Sequence, residues 1–210
     1  MERQGVLQRD RSGAFLAGHV LSSFAREQNQ ESILIAQIRP VLQALATETG
    51  ETANLAVAGN GHINLIDQID GHYLLGATNW VGRKVAYNAS ALGKILLAFG
   101  VVAIPAGRLE KYTDSTITSR AKLESELDRV RNEGYAIIID ELEEGLSAVA
   151  APVFDSRGSV IGAVSLSGPT PRMPASVLPT LGNLINAEIK KHSHQQKIQN
   201  PNKIGKVGAA

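Results

Sequence analysis

Leu146-Ser147-Ala148-Val149-Ala150-Ala151-Pro152-Val153-Phe154, then Asp155-Ser156-Arg157-Gly158, then Ser159-Val160-Ile161-Gly162-Ala163-Val164-Ser165-Leu166-Ser167 is the stretch on which the architecture turns. Two apolar runs of strand length flank a four-residue turn ending in Gly, so the two strands lie side by side and antiparallel. Just upstream, Gly134 precedes Tyr135-Ala136-Ile137-Ile138-Ile139, a third strand rich in β-branched residues. The pattern repeats earlier in the chain. Ala53 to Ala58 and His62 to Ile66 form a second hairpin across Gly59-Asn60-Gly61, and Asn-Gly between apolar strands is a strong turn signal. A further strand is expected over Tyr73 to Thr78.

Helices separate the strand clusters. Ala91, Leu92, Ile95, Leu96 and Phe99 recur on one face of a helix expected from Asn88 to Phe99. A polar helix runs from about Ser119 to Asn132, stopped by Gly134, with Glu124, Glu126, Asp128, Arg129 and Arg131 on a solvated face. Pro174 opens a last helix that reaches about His192. At the front, a short helix from Gly18 to Gln28 precedes a longer one from Glu31 to Thr49, which Pro40 should kink and Gly50 should stop. Strands in clusters, joined by tight turns, predict an α+β fold: a largely antiparallel sheet of about six strands flanked by helices, and not a doubly wound βαβ fold.

Composition narrows the chemistry. The 210 residues are 43% hydrophobic and 20% charged, ordinary for a globular chain, and the 4% aromatic content leaves the core to Ala, Val, Leu and Ile. There is no cysteine, which removes disulfides, thiolate catalysis and Cys-rich zinc sites. No apolar run approaches the roughly 18–20 residues of a membrane span, and the N-terminus has no apolar signal core, so the expectation is a cytoplasmic protein without membrane partners. The net charge of +1 is unevenly spread. Residues 1–30 hold four Arg against three acids and residues 188–210 hold five Lys against one Glu, which leaves 12 basic and 16 acidic residues in between. That acidic balance makes the middle domain a poor nucleic-acid surface.

Gly145 through Phe154, with Gly158 and then Ser165-Leu166-Ser167-Gly168-Pro169 behind it, resembles the C-terminal signature of IclR-type bacterial transcriptional regulators. Asn88-Ala89-Ser90-Ala91-Leu92-Gly93-Lys94 with Leu97-Ala98 resembles the second hallmark of that family, and Thr49-Gly50-Glu51-Thr52 and Gly134-Tyr135 fall in its order and spacing. The resemblance covers roughly residues 5–190. It implies a GAF/profilin-like effector-binding domain that takes a small organic acid, needs no cofactor, and assembles as a homodimer or homotetramer. In the family this domain follows a winged helix-turn-helix. Here Val6-Leu7-Gln8-Arg9 and Ala14-Phe15-Leu16, around Asp10-Arg11-Ser12-Gly13, resemble the end of the wing, and the helices that would enter the major groove are not in the chain. The reading is therefore residues 1–30 as a remnant of wing and linker helix, 31–192 as the effector-binding domain, and 193–210 as a disordered tail. DNA contact is expected only through the missing winged helix-turn-helix.

The resemblance places the ligand where the Ser-Ala-Leu-Gly helix start meets the strand ending in Ser-x-Ser-Gly-Pro. A helix N-terminus offers unpaired N–H groups and a positive dipole end, a natural receptor for a carboxylate. With Ser90 as cap the Ala91 and Leu92 amides are free; with Asn88 as cap only Ala91 of the two is. Ser165 and Ser167, two apart on a strand, put both hydroxyls on one face. The competing readings are that Ser90 only caps while the alanines pack, and that the two serines mark a wet sheet edge. Family members that sense very small keto-acids carry an acid at the position of Ile138 and a cysteine at that of Ala148. Apolar residues there, with Leu75, imply a ligand with more carbon than glyoxylate or pyruvate, unless the alignment slips and one of Asp140, Glu141, Glu143 or Glu144 enters the pocket.

Other signals carry less. His62 and His72 near Asp67 and Asp70 match no zinc spacing, and His192 and His194 sit in a basic tail, so no metal site is expected. Gly59-Asn60-Gly61 lies between strands, the wrong context for a dinucleotide loop. No nucleophile–base grouping is defensible, so no catalytic residue is assigned. Trp80 belongs near the pocket or at a subunit contact, and sequence does not decide between them. A small enzyme acting on an organic acid and an oligomerisation module without ligand remain the alternatives to a sensor.

Overall fold

The computed structural model describes residues 1–199 apart from residues 3, 10–13, 60 and 74–77, with the side chains of 26, 27 and 194–199 also left aside. The chain divides into two compact units, Met1–Ile38 and Arg39–Ala210. In the first, β1 (Leu7–Arg9) and β2 (Phe15–Ala17) pair antiparallel with Leu7 opposite Ala17 and Arg9 opposite Phe15. The Arg9 guanidinium lies 4.3 Å from the centre of the Phe15 ring and 2.8 Å from a Glu2 carboxylate oxygen. The turn expected at Asp10–Gly13 lies outside the described residues.

Helix α1 (His19–Thr49) starts in the first unit and ends in the second. The sequence pattern divides it in two at Gln28–Glu31, but a polar stretch without Gly or Pro does not break a helix, and the turns run on through it. Pro40 lies inside α1, and Gly50, at φ 74°, ends it in the left-handed conformation that glycine adopts without strain.

In the second unit, β3 (Thr52–Gly59) and β4 (His62–Ile69) make the expected hairpin, and after α2 (Ala91–Ala98) and α3 (Arg120–Glu133) come β5 (Ala136–Ile139), β6 (Leu146–Phe154) and β7 (Val160–Pro169). The sheet order is β4-β3-β7-β6-β5 and every neighbouring pair is antiparallel. This is the α+β architecture expected, with five strands in this sheet among the described residues. The strand expected at Tyr73–Thr78 falls largely outside them. Residues 82–85 instead run along the β4 edge, through Leu65 N–H to Arg83 O, Gly82 N–H to Leu65 O and Val85 N–H to Ile63 O.

The central strands are apolar at nearly every position because both faces are covered. One face packs on α2, which touches β5, β6 and β7 and lies against α3. Helix α4 (Leu178–Gln199) packs against β6 and β7. It begins four residues after Pro174, which sits in a turn, and continues seven residues past His192. Among the described residues no helix is long and apolar enough to cross a membrane.

Candidate functional site

Strand register builds one wall of the site. Across β3, β7, β6 and β5, Thr52 faces Ser167, Ser167 faces Ala148, and Ala148 faces Ile138. The next row on the same face holds Gln68, Asn54, Ser165, Ala150 and Ala136. Residues two apart on a strand share a face, so Ser165 and Ser167 lie together with Asn54 directly opposite Ser165. Asn54 Nδ2 donates to Ser167 Oγ at 3.0 Å and to Ser165 Oγ at 3.4 Å.

The facing wall is the first turn of α2. Ser90 is its cap, in extended conformation, and its hydroxyl accepts from Gly93 N–H at 2.9 Å while donating to Ala86 O at 2.6 Å. Asn88 is therefore not the cap. Its side-chain amide donates instead to Glu110 O and Ile117 O, which fastens the approach to α2 onto the 110–117 segment. With Gly93 claimed by the cap, the Ala91 and Leu92 amides have no partner among the described residues. Gly93 fits because a Cβ there would stand 2.2 Å from Ala86 O and 2.4 Å from Tyr87 O, so only glycine lets the helix start so close to the preceding chain.

A third side comes from the loop between β5 and β6. Asp140 holds φ 57°, unusual for a residue with a side chain, and its carboxylate accepts from Gly145 N–H and from the Thr170 hydroxyl. Thr113 donates to Asp140 O and Thr116 donates to Glu141 O, both at 2.6 Å. The fourth side is the segment along β4, where Gln68 accepts from Trp80 N–H at 3.1 Å.

Between these walls lies a cavity of about 510 Å³. Ser90, Ala91, Leu92, Ile138, Ala148, Ser165 and Ser167 all line it, while Leu75 lies outside the described residues. Trp80 lines it too, and so do the acids Glu143 and Glu144 and the cations Arg83 and Lys84, all four exposed at the rim. An apolar Ile138 and two rim acids thus occur together, where sequence treats them as alternatives. Tyr112, also on the wall, donates to Glu110 at 2.7 Å; partial burial and then the Glu110 hydrogen bond and charge push its phenol up to about 12, so it stays protonated.

Sequence reasoning passed over two groups. Asn54 is a polar residue inside the largely apolar β3, and that is the signal that marks it, whereas Gln68 shares β4 with His62, Asn64 and Asp67 and does not stand out there. The other is Lys94, on α2 and fully buried. Its Nζ donates to Glu141 Oε1 at 2.6 Å and to Ile137 O at 3.3 Å, with Glu126 at 3.7 Å. Burial raises the Glu141 pKa above the ordinary carboxylate value, against the pull of Lys94. Of the histidines, His62 Nε2 lies 2.9 Å from Lys84 Nζ and the His72 ring lies against Tyr73 at 4.5 Å. Among the described residues no three His, Asp or Glu side chains gather as a metal site would require.

The comparisons with known proteins agree with one another. HTH-type transcriptional regulator BhcR of Paracoccus denitrificans is 34% identical over 161 residues, covering 74% of this chain and 58% of that protein. HTH-type transcriptional regulator KdgR of Escherichia coli is 35% identical over 173 residues, covering 80% of this chain and 65% of the other. The crystal structure of the KdgR C-terminal domain superposes with a TM-score of 0.63 at 31% identity, over 77% of this chain and 97% of that one. The chain thus spans about three fifths of the length of the curated relatives it matches, and those relatives are transcriptional regulators rather than enzymes. The family model for the C-terminal region of the bacterial transcriptional regulator IclR matches residues 27–194. This chain belongs to the IclR family of bacterial transcriptional regulators and carries its C-terminal domain.

Proposed function

We propose that the chain is the sensing domain of a cytoplasmic transcriptional regulator, and that the cavity beside α2 receives a small organic acid. One observation carries the reading: the free Ala91 and Leu92 amides and the Asn54–Ser165–Ser167 wall face a single cavity of about 510 Å³. Backbone N–H groups at a helix start and hydroxyl donors across from them suit a carboxylate. Leu65, Val85, Leu92, Ile138 and Ala148 supply an apolar lining for the carbon body, and the volume is in the usual range for small-molecule sites. Apolar residues at 138 and 148 favour acids larger than pyruvate. Bound acid would bias how protomers pair in a dimer or tetramer, and so the spacing of DNA-reading domains outside this chain.

The test is a thermal-shift screen against acetate, pyruvate, 2-oxobutanoate, hexanoate and benzoate, with product analysis of each hit. An acid at about 100 times its Kd should stabilise the fold by about 2.7 kcal/mol, a shift of several degrees. An acid larger than pyruvate that raises Tm and is recovered unchanged supports the reading. Turnover would make the domain an enzyme, silence across the panel would overturn an acid sensor of this kind, and tightest binding by pyruvate would overturn the size preference.

A further inference from the structure

Each serine hydroxyl on the sheet wall has one proton to give and two lone pairs to receive. Ser165 and Ser167 both receive from Asn54 Nδ2, whose two hydrogens serve the two oxygens. Neither hydroxyl proton finds an acceptor among the described residues. Ser165 is only 2% exposed and Ser167 9%, yet both line the cavity. A buried O–H without an acceptor is unfavourable in the empty fold and is relieved by an acceptor arriving from outside.

We infer that Asn54 is a positioning residue which fixes the Ser165 and Ser167 hydroxyls as a pair of donors, so that the sheet wall selects for an acceptor group, a carboxylate above all. The inference rests on the reading of the cavity as a carboxylate receptor. A hydroxyl left to itself turns to give or to receive as its neighbour demands. With one lone pair of each oxygen engaged by the Asn54 amide, the protons turn towards the cavity and meet the Ala91 and Leu92 amides across it. A carboxylate then finds donors on both sides. The neutral amide of the same acid has only one oxygen to place there, and its NH2 meets further donors.

A double-mutant cycle tests this, with Kd measured calorimetrically for hexanoate and benzoate and for hexanamide and benzamide as neutral counterparts. In wild-type protein, Ser167→Ala should raise Kd for the acid about tenfold, as loss of a hydrogen bond to a charged group does. In an Asn54→Ala background, where the hydroxyl already turns freely, the same change should raise Kd less than about threefold. Asn54→Leu, close to Asn in size and unable to hydrogen-bond, gives a second background should the alanine variant fold poorly. Both backgrounds should also lose about tenfold of the preference for acid over amide. Equal effects of Ser167→Ala with and without Asn54, or an unchanged acid-to-amide ratio, would overturn the inference while leaving the receptor reading intact. Wild-type protein that holds neither acid overturns both.

Discussion

Two polar clusters interrupt the apolar packing around α2, and they are satisfied to different degrees. Around Lys94 the fold supplies its own partners: Glu141, the Ile137 carbonyl and, further off, Glu126. At the N-terminal end of the same helix, the Ala91 and Leu92 amides and the Ser165 and Ser167 hydroxyl protons have none among the described residues. Unpaired buried donors are normally rare. Their concentration at one end of one helix, facing one cavity, separates a polar group that holds the structure from one that is kept for something else. The Lys94 cluster ties α2 to the loop carrying Leu142, Glu143, Glu144 and Gly145, so it shapes the cavity without lining it.

The largest effect should come from breaking the ion-paired cluster. Lys94→Met strands the Glu141 carboxylate, one oxygen of which already lacks a partner, and should lower stability by about 3–5 kcal/mol in chemical denaturation. Lys94→Met combined with Glu141→Leu should recover much of that loss, because an apolar pair replaces a desolvated ionic one. If the double variant is no better than the single, the cluster does more than neutralise itself.

A middle-sized effect separates the two roles at the open end. Ser90→Ala removes the α2 cap and should cost about 1 kcal/mol. Ser167→Ala removes only an accepted bond, and without ligand it should cost less than Ser90→Ala. Equal losses in denaturant titrations would mean that the sheet serines are structural after all.

The smallest effect is a pH dependence. Burial lifts the Glu141 pKa above its ordinary value of 4.5, so the folded state keeps this proton where the unfolded state has lost it. The contribution of Glu141 is then greatest below the unfolded value and declines as pH rises through the folded one. The Tm difference between wild type and Glu141→Gln should accordingly fall from pH 4 upward. A difference that grows with pH would show that Lys94 outweighs burial.

Much of this fold is written locally. Asp155–Gly158 and Gly59–Gly61 mark hairpins because tight turns need particular residues, and Ser119 and Gly134 bracket α3 because a cap and a left-handed stop are chemical necessities at those points. What escaped is non-local. The continuity of α1 past Gln28 cannot be read from polar residues that suit either state. Lys94 looks like any helix lysine until Glu141, 47 residues on, is brought to its ammonium group. Asn54 and Ser165 are 111 residues apart and meet only through the β3–β7 register. The positions Ser90, Ala91, Leu92, Ile138, Ala148, Ser165 and Ser167 came from resemblance, and their shared cavity from strand register and the capped helix start.

The fit at Gly93 has an evolutionary corollary. A helix start that leaves no space for a methyl group against Ala86 O and Tyr87 O is a jaw closed to side chains at Gly93, with its amides offered to a guest. The opposite jaw is a sheet, where Ile138 and Ala148 stand in register as replaceable teeth on an unchanged backbone. Change of such a cavity towards new guests falls to side chains such as Ile138, Ala148 and Leu92, while Gly93 itself has no room for one.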